Sequence, residues 1–221
     1  MPRQTQRKHP KKSIYVFWEG ESEEAYAKCL KNTFSKSATI YPHREKGTFA
    51  TAKAFYRGNK KFRDELPEYD ELWFFFDTEL DKASQWDENW KCLEDILAAP
   101  HPERFKIRLL MTSGCVEYWF CLHYERIAPS IVTPADKEDV LIRLKRSVPD
   151  YEKGDYKATK KVEENYEKAI ENGRWTLERL ISQGLPKKQG KARDHWLYKG
   201  EHTFTTVHEA VEYLKSLPTL Y

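Results

Sequence analysis

The amino-acid sequence predicts an α/β fold with a mostly parallel sheet, followed by a helical C-terminal region. The first observation is a set of short apolar runs, such as residues 14–18 and 72–76, which are typical of strands buried on both faces of a sheet. The second is that these runs alternate with segments whose apolar residues recur at helical spacing. The third is a change after Pro129, where charged, amphipathic helical patterns take over.

Strands and helices alternate through the first part of the chain. The predicted strands are residues 14–19, 38–41, 71–76 and 105–111, and the predicted helices are residues 22–34, 48–66, 84–98 and 115–124. Ser22 is a suitable N-cap for the first helix, Pro42 stops the second strand, and Gly58 loosens the second helix. This order predicts one α/β domain over residues 13–128.

Two further regions flank this predicted domain. Residues 1–12 carry five basic side chains and two prolines, which indicates a flexible basic tail, with a phosphate-contacting arm as the alternative. Residues 129–221 are predicted to pack on the domain as helices over about 136–146, 158–183 and 205–217. A basic loop rich in Gly and Pro, residues 184–193, precedes the last of these helices.

Composition limits the class of protein. Seven Trp, 13 Tyr and 11 Phe in 221 residues predict an aromatic-rich core rather than a disordered chain. The formal net charge of +3 is nearly neutral, so any basic surface would have to be local. The four cysteines form no CxxC pair, which argues against structural zinc and fits a reducing compartment. With no long apolar run and no signal-peptide pattern, we expect a cytoplasmic protein without a membrane partner. The sequence is compatible with a homo-oligomer.

Acidic residues follow three of the apolar runs. Glu19 comes after the first strand, Asp77 and Glu79 after the third, and Glu117 opens the helix after the fourth. Because ligands bind beyond the carboxyl ends of parallel strands, we expect these acids to share one edge of the sheet. Clustered carboxylates repel each other unless a cation joins them, which points to a divalent metal and to phosphate chemistry.

Each acid also has a plainer interpretation. Acids at a helix start favour the helix dipole, which accounts for Glu21 and Glu23 better than for Glu19. Asp77 and Glu79 fit an ordinary polar strand exit, although residues two apart on an extended chain point to the same side and can share an ion. Glu117 on an apolar helix needs a partner, which can be a metal, an arginine or backbone amides.

Other chemical motifs are weak. The chain has no Walker A sequence, no GxGxxG and no GxSxG. His123 is more typical of a hydrogen-bonded core histidine than of a ligand. Lys153, Lys187 and Lys188 are candidates to position a nucleic acid, but solvated loops explain them about as well.

Taken together, these motifs resemble the RloB family, small proteins with a Toprim-like domain found in bacterial and archaeal defence loci. The matching segments are residues 16–23, 74–79, 113–125, 151–153 and 203–208. The likeness covers nearly the whole chain after residue 12, and the third segment is the most specific.

The resemblance implies a Toprim fold, a Rossmann-like sheet with characteristic acids. In Toprim proteins a glutamate after the first strand acts in acid–base chemistry, and an Asp-x-Asp pair after a later strand binds magnesium. Carried over, Glu19 takes the first role, while Asp77 and Glu79 take the second, although Glu79 stands where an aspartate is expected. Glu117 matches the third acidic position of the family, and His123 and Glu125 follow it in register.

We therefore predict a metal-dependent nuclease that acts as the effector of an antiphage or abortive-infection system. Its substrate would be RNA, tRNA included, or DNA, and its cofactor Mg²⁺ or Mn²⁺ held by Glu19, Asp77 and Glu79. The resemblance also implies an ABC-type ATPase encoded nearby as a partner. The alternative is a non-catalytic Toprim-like adaptor that binds such an ATPase or nucleic acid. A nucleotide-binding phosphotransferase is disfavoured because no glycine-rich loop is present.

Overall fold

A parallel sheet forms the centre of the computed structural model, which describes residues 11–65, 68–98 and 105–219. The strands found in these ranges are β1 (Lys12–Trp18), β2 (Ala38–Pro42), β3 (Glu71–Thr78) and β4 (Lys106–Ser113). They are hydrogen-bonded in the order β2-β1-β3-β4, and every pair is parallel. All carboxyl ends therefore lie at one edge, as the apolar runs predicted.

Helices cover both faces of this sheet and make up most of the C-terminal region. Those of the first half are α1 (Glu21–Thr33), α2 (Phe49–Gly58), α3 (Lys60–Glu65), α4 (Trp86–Leu97) and α5 (Val116–Cys121). Those of the second half are α6 (Pro134–Ser147), α7 (Tyr156–Glu163), α8 (Tyr166–Ile181), α9 (Lys191–Lys199) and α10 (Val207–Ser216). A 3-10 helix, Leu80–Gln85, joins β3 to α4. No helix within the described ranges has both the length and the apolar character needed to cross a bilayer.

The core has two parts because successive strand residues point to opposite faces of the sheet. On one face, Trp73 and Phe75 of β3 pack with side chains of α1, α5, α6, α7 and α10. On the other face, Phe74 and Phe76 pack with side chains of α2, α4, α8 and α9. Helices from the C-terminal region thus complete the core on both faces.

The α/β fold with a helical C-terminal region is confirmed, while several element boundaries differ. The predicted strand 71–76 continues to Thr78, which keeps Asp77 in an extended chain opposite Thr112 of β4. The predicted helix 48–66 is interrupted after Gly58, and its last predicted residue lies outside the described ranges. The helix predicted over 115–124 ends at Cys121, where the chain closes into turns.

Two predictions in the C-terminal region are wrong. Residues 158–183 form two helices, α7 and α8, because α7 packs on α1 while α8 packs on α10. The predicted loop 184–193 gives way at Lys191 to α9, which begins after Gly190 with its φ of +134°. Arg193 of this helix is buried and donates two hydrogen bonds to Glu209, at 2.8 and 2.6 Å. Its guanidinium therefore binds another residue of the chain rather than facing solvent.

The N-terminal tail was predicted to end at residue 12. Residues 1–10 lie outside the described ranges. Lys12 is already part of β1, and its Nζ lies 2.8 Å from Asp70 Oδ1. Strand β1 therefore begins at a residue that had been assigned to the tail, because this ion pair and the pairing with β2 hold Lys12 in the sheet.

Candidate functional site

An acidic cleft of about 500 Å³ lies at the carboxyl edge of the sheet. Its carboxylates come from the ends of β1 and β3 and from the starts of α1 and α5; they are Glu19, Glu21, Glu23, Asp77, Glu79 and Glu117. The structure therefore brings together all four acids that the sequence singled out. It adds Glu21, which is exposed, and Glu23, both of which had been explained as ordinary helix-start acids.

Glu19 is held by two donors at the end of β1. Its Oε2 accepts a hydrogen bond of 3.0 Å from the backbone N–H of Asp77, and its Oε1 accepts one of 2.7 Å from Lys82 Nζ. The strand register brings these parts together, because Trp18 lies opposite Phe75, two residues before Asp77. Glu19 thus links the end of β1 to the end of β3 within the cleft.

The surroundings of Asp77 strongly disfavour the ionised form of its carboxyl group. Its Oδ1 is buried, and it has no hydrogen-bond partner in the described part of the chain. Burial raises the pKa of Asp77 well above its usual value, and repulsion from Glu23, Glu19, Glu117 and Glu79 adds to this. The carboxylate form of Asp77 would therefore be stabilised by a cation placed beside it.

Glu79 already has cationic partners. Its backbone is extended, so it lies on the same side as Asp77, and its carboxylate bonds to Lys82 Nζ at 2.5 Å and to Lys137 Nζ. Burial acts to raise the pKa of Glu79, but the hydrogen bonds from Lys137 and Lys82 outweigh it and lower the pKa. Asp81 is turned out of the cleft because the chain enters the 3-10 helix.

Glu117 is buried in the first turn of α5, and its carboxylate is bound by side chains from distant parts of the sequence. Ser22 Oγ and Tyr151 OH both donate to its Oε1, at 3.1 and 2.9 Å, and Lys153 Nζ lies 3.6 Å from its Oε2. Ser22 had been predicted as the N-cap of the first helix, which is wrong. Gly20 is the N-cap, and the Ser22 hydroxyl serves Glu117 instead.

The turn that presents Glu117 depends on a glycine. Gly114 has a φ of +72°, and a Cβ there would lie 2.3 Å from Ile131 Cγ2. Its N–H donates to the Thr78 carbonyl at 2.9 Å, which joins the ends of β3 and β4. Gly114 therefore fixes the start of α5 over the cleft, and other residues would be strained there.

Glu23 is buried, with 3% of its surface exposed, although it lies in the first turn of α1. Burial raises its pKa to about 7, and repulsion from Glu117 and Glu19 contributes. A signal for this burial exists in the sequence, because Glu23, Tyr26, Ala27 and Leu30 recur on one helical face and all are buried. The helix-dipole explanation is correct for its position but omits its burial in the cleft.

The predicted nucleic-acid contacts separate into two groups. Lys153 lines the cleft, together with Lys46, Lys82 and Lys137. Lys187 and Lys188 are exposed in the loop between α8 and α9, and within the described ranges they do not line the cleft.

His123 and Glu125 belong to other parts of the molecule. His123 is fully buried, its Nε2 lies 3.2 Å from Tyr26 OH, and its Nδ1 lies 3.0 Å from the Trp119 carbonyl. Burial lowers its pKa to about 3, so it is a neutral core histidine. Glu125 accepts a hydrogen bond of 3.1 Å from Arg143 Nη1.

The chemistry of the cleft fits a hard divalent cation. Its donors are carboxylate oxygens, and the buried Oδ1 of Asp77 has no other partner among the described residues. As they stand, however, no three His, Cys, Asp or Glu side chains in the described ranges are placed to hold a metal ion. Since Lys82 joins Glu19 to Glu79, metal binding requires this lysine to release at least one of them.

Comparisons with known proteins give one match. A family model described as RloB-like protein matches residues 14–214 of the chain, which include every residue that lines the acidic cleft. No curated protein and no solved structure shows significant similarity to this chain.

Proposed function

The chain belongs to the RloB-like family, and on this premise we propose that it is a metal-dependent nuclease that hydrolyses phosphodiester bonds of RNA or DNA in the acidic cleft. The observation that carries this proposal is the gathering of six carboxylates at the carboxyl edge of a parallel sheet. Such a concentration of negative charge repels a bare phosphate, so a cation is needed before a nucleic acid can bind there.

In this proposal the carboxylates have separate roles. Asp77, Glu79 and Glu19 would hold Mg²⁺ or Mn²⁺, with Glu117 beside them. The bound ion would neutralise phosphate charge and lower the pKa of an attacking water. Glu23, which is buried in the same cleft as these acids, is the proposed general acid–base group, with Glu19 as the alternative base.

The lysines of the cleft supply the complementary charge. Lys82 and Lys137 are bound to Glu79, and Lys153 is exposed near Glu117. With a cation at the carboxylates, the ammonium groups of Lys82 and Lys137 would be available to phosphate oxygens of the substrate. Lys153, which is the most exposed of the three, is the proposed first contact for the nucleic-acid backbone.

Cleavage assays test the nuclease proposal. Labelled tRNA, single-stranded DNA and duplex DNA are incubated with magnesium or manganese and with wild type, Asp77→Asn or Asp87→Asn. We expect Asp77→Asn to lose on the order of 100-fold or more of the activity. Asp87→Asn should keep it, because Asp87 is exposed in the first turn of α4 and does not line the cleft. Equal cleavage by wild type and Asp77→Asn would rule out the proposed site.

A non-catalytic adaptor is the second candidate, and a specific observation favours it. Lys82 and Lys137 already neutralise Glu19 and Glu79 without a metal. Calorimetry with Mg²⁺ on EDTA-stripped protein separates the two functions. A nuclease should bind the ion more tightly than its Asp77→Ala variant does, whereas an adaptor should bind it no better.

The biological setting is proposed from the family resemblance alone. We place the chain in antiphage defence, beside an ABC-type ATPase that would control it. Phage challenge of cells that carry the complete locus tests this setting. We expect protection to disappear with Asp77→Asn, and equal plaque numbers with and without the locus would contradict a defence role.

A further inference from the structure

A second cavity opens beside the acidic cleft and shares a wall with it. This cavity, which we call the side pocket, has a volume of about 630 Å³. Glu79, Gly114 and Lys137 line both spaces. The remaining walls come from the ends of β3 and β4, the start of the 3-10 helix, the segment before α6, the end of α8, and the end of α9 with the segment that follows it. A molecule bound in the cleft can therefore extend into the side pocket past Lys137.

His202 forms a rigid part of the wall. Its ring stacks on Trp196, with centroids 4.0 Å apart and planes 4° from parallel. Gly200 lies so close that a Cβ there would be 2.3 Å from His202 Cδ2. Burial lowers the pKa of His202, and the positive charge of Arg179 lowers it further against the opposing charge of Glu201, which favours the neutral imidazole. A fixed neutral imidazole suits hydrogen bonding to an uncharged heterocycle.

Arg179 supplies a donor to the same cavity. Its Nη2 donates to the Thr203 carbonyl at 2.9 Å, and its guanidinium lies 5.6 Å from the Trp175 ring centroid. Its Nε is buried and has no hydrogen-bond partner among the described residues. Because Arg179 lines the side pocket and its guanidinium is held by Thr203, it brings a fixed positive charge to the wall.

The rest of the lining mixes neutral polar groups with two carboxylates, Asp81 and Glu201, and with apolar side chains. Gln183 and Ser130 are exposed at the side pocket, and Tyr198 contributes an aromatic ring. An amide, a hydroxyl, an imidazole and a guanidinium together offer the donors and acceptors that recognise the edge of a nucleobase. The volume lies in the range of cavities that enclose small organic ligands.

We propose that the side pocket binds one unstacked nucleobase of a single-stranded RNA or DNA while the adjacent phosphate lies in the acidic cleft. This inference rests on the proposed nuclease function and names its substrate class. A base inside a duplex is paired and stacked, so it cannot enter a cavity unless it leaves the helix. The shared wall at Lys137 then lies beside the backbone that joins the base to the phosphate in the cleft.

Binding measurements without cleavage test the inference. Fluorescein-labelled ten-nucleotide single strands of RNA and DNA are titrated with Ca²⁺ as the divalent ion, with a blunt duplex of the same sequence for comparison. A gel confirms that the strands stay intact during the titration. We expect single strands to bind at least about tenfold more tightly than the duplex. Gln183→Ala and Ser130→Ala should each weaken single-strand binding about fivefold. Glu178→Ala, on the exposed surface of α8, is the matched control and should bind like wild type.

The outcomes separate this inference from the proposed function. The proposal for the side pocket would be overturned if duplex and single strands bound equally well. It would also be overturned if Gln183→Ala and Ser130→Ala bound single strands as tightly as Glu178→Ala does. Either result would count against the side pocket even if Asp77-dependent cleavage is found. The expected binding pattern without any cleavage would support the side pocket and contradict the nuclease. A wild type that binds no nucleic acid would overturn the side pocket as well.

Discussion

Glu23 is a residue at which burial and ionisation conflict. It is buried in a cleft with five other carboxylates, and its pKa is raised from 4.5 to about 7. Because this pKa is higher in the folded than in the unfolded chain, the folded state binds more protons between these two values. The stability that Glu23 contributes is therefore complete below about pH 4.5 and is lost as the pH rises through about 7.

A stability measurement across pH tests this behaviour. Glu23→Gln cannot ionise, so its free energy of unfolding should fall less than that of wild type between pH 5 and pH 8. At pH 8 we expect the variant to gain on the order of 1–3 kcal/mol relative to wild type. Glu21→Gln, an exposed residue of the same helical turn, is the control and should keep the wild-type slope. The free energy of unfolding is measured by urea denaturation at each pH. If it changed with pH in the same way for Glu23→Gln and wild type, the pKa of Glu23 would not be raised.

Helix α6 brings a competing cation to the acidic cleft. It starts with a capping box, in which Thr133 Oγ1 accepts from the Asp136 N–H at 3.2 Å and Asp136 Oδ2 accepts from the Thr133 N–H at 2.7 Å. This box fixes the first turn, from which Lys137 reaches Glu79. The position of Lys137 is therefore set by the start of an element that the sequence placed outside the α/β domain.

Removing this cation tests whether it competes with a metal. In Lys137→Met, Glu79 loses one of its two ammonium partners, so Mg²⁺ should bind several-fold more tightly than to wild type. Lys145→Met, on the exposed last turn of α6, is the matched control and should bind Mg²⁺ like wild type. Calorimetry on EDTA-stripped protein measures both affinities. Unchanged or weaker binding by Lys137→Met would mean that Lys137 does not exclude the ion.

At the scale of the whole molecule, the C-terminal helices are part of the core. Leu177 of α8 and Leu197 of α9 pack in the cluster on one face of the sheet, and Val207 and Leu214 of α10 pack in the cluster on the other. The segment after Phe204 also pairs with the outer edge of β4, since the Thr206 N–H donates to the Met111 carbonyl at 2.9 Å. The predicted division at residue 128 therefore separates two parts of the same hydrophobic core.

A truncated chain tests whether the sheet depends on the C-terminal helices for a stable core. We expect residues 13–128 expressed alone to unfold without a cooperative transition and to expose apolar surface, because both faces of the sheet lose part of their cover. Thermal unfolding followed by near-ultraviolet circular dichroism, together with dye binding, measures this against the full chain. A sharp transition in the fragment would show that the first 128 residues fold independently.

The sequence by itself determined the strands, the parallel sheet and the main acids of the cleft. Residues 14–18 and 72–76 had to be buried on both faces, because runs of this length without polar positions do not fit a half-exposed strand. Parallel strands then place Glu19, Asp77 and Glu79 at one edge, whatever the details of packing. The local chemistry of these segments was enough for that prediction.

The tertiary structure alone decided which groups surround those acids. Tyr151 reaches Glu117 from 34 residues away, and Ser22 reaches it from 95, so neither contact has a local signature. The break between α7 and α8 and the presence of α9 also depend on packing against distant helices, which outweighs local propensity. Burial of Glu23 and the lysine bridges to Glu79 follow from the same packing. The charge balance of the site is therefore a property of the folded molecule, because it depends on which distant side chains meet.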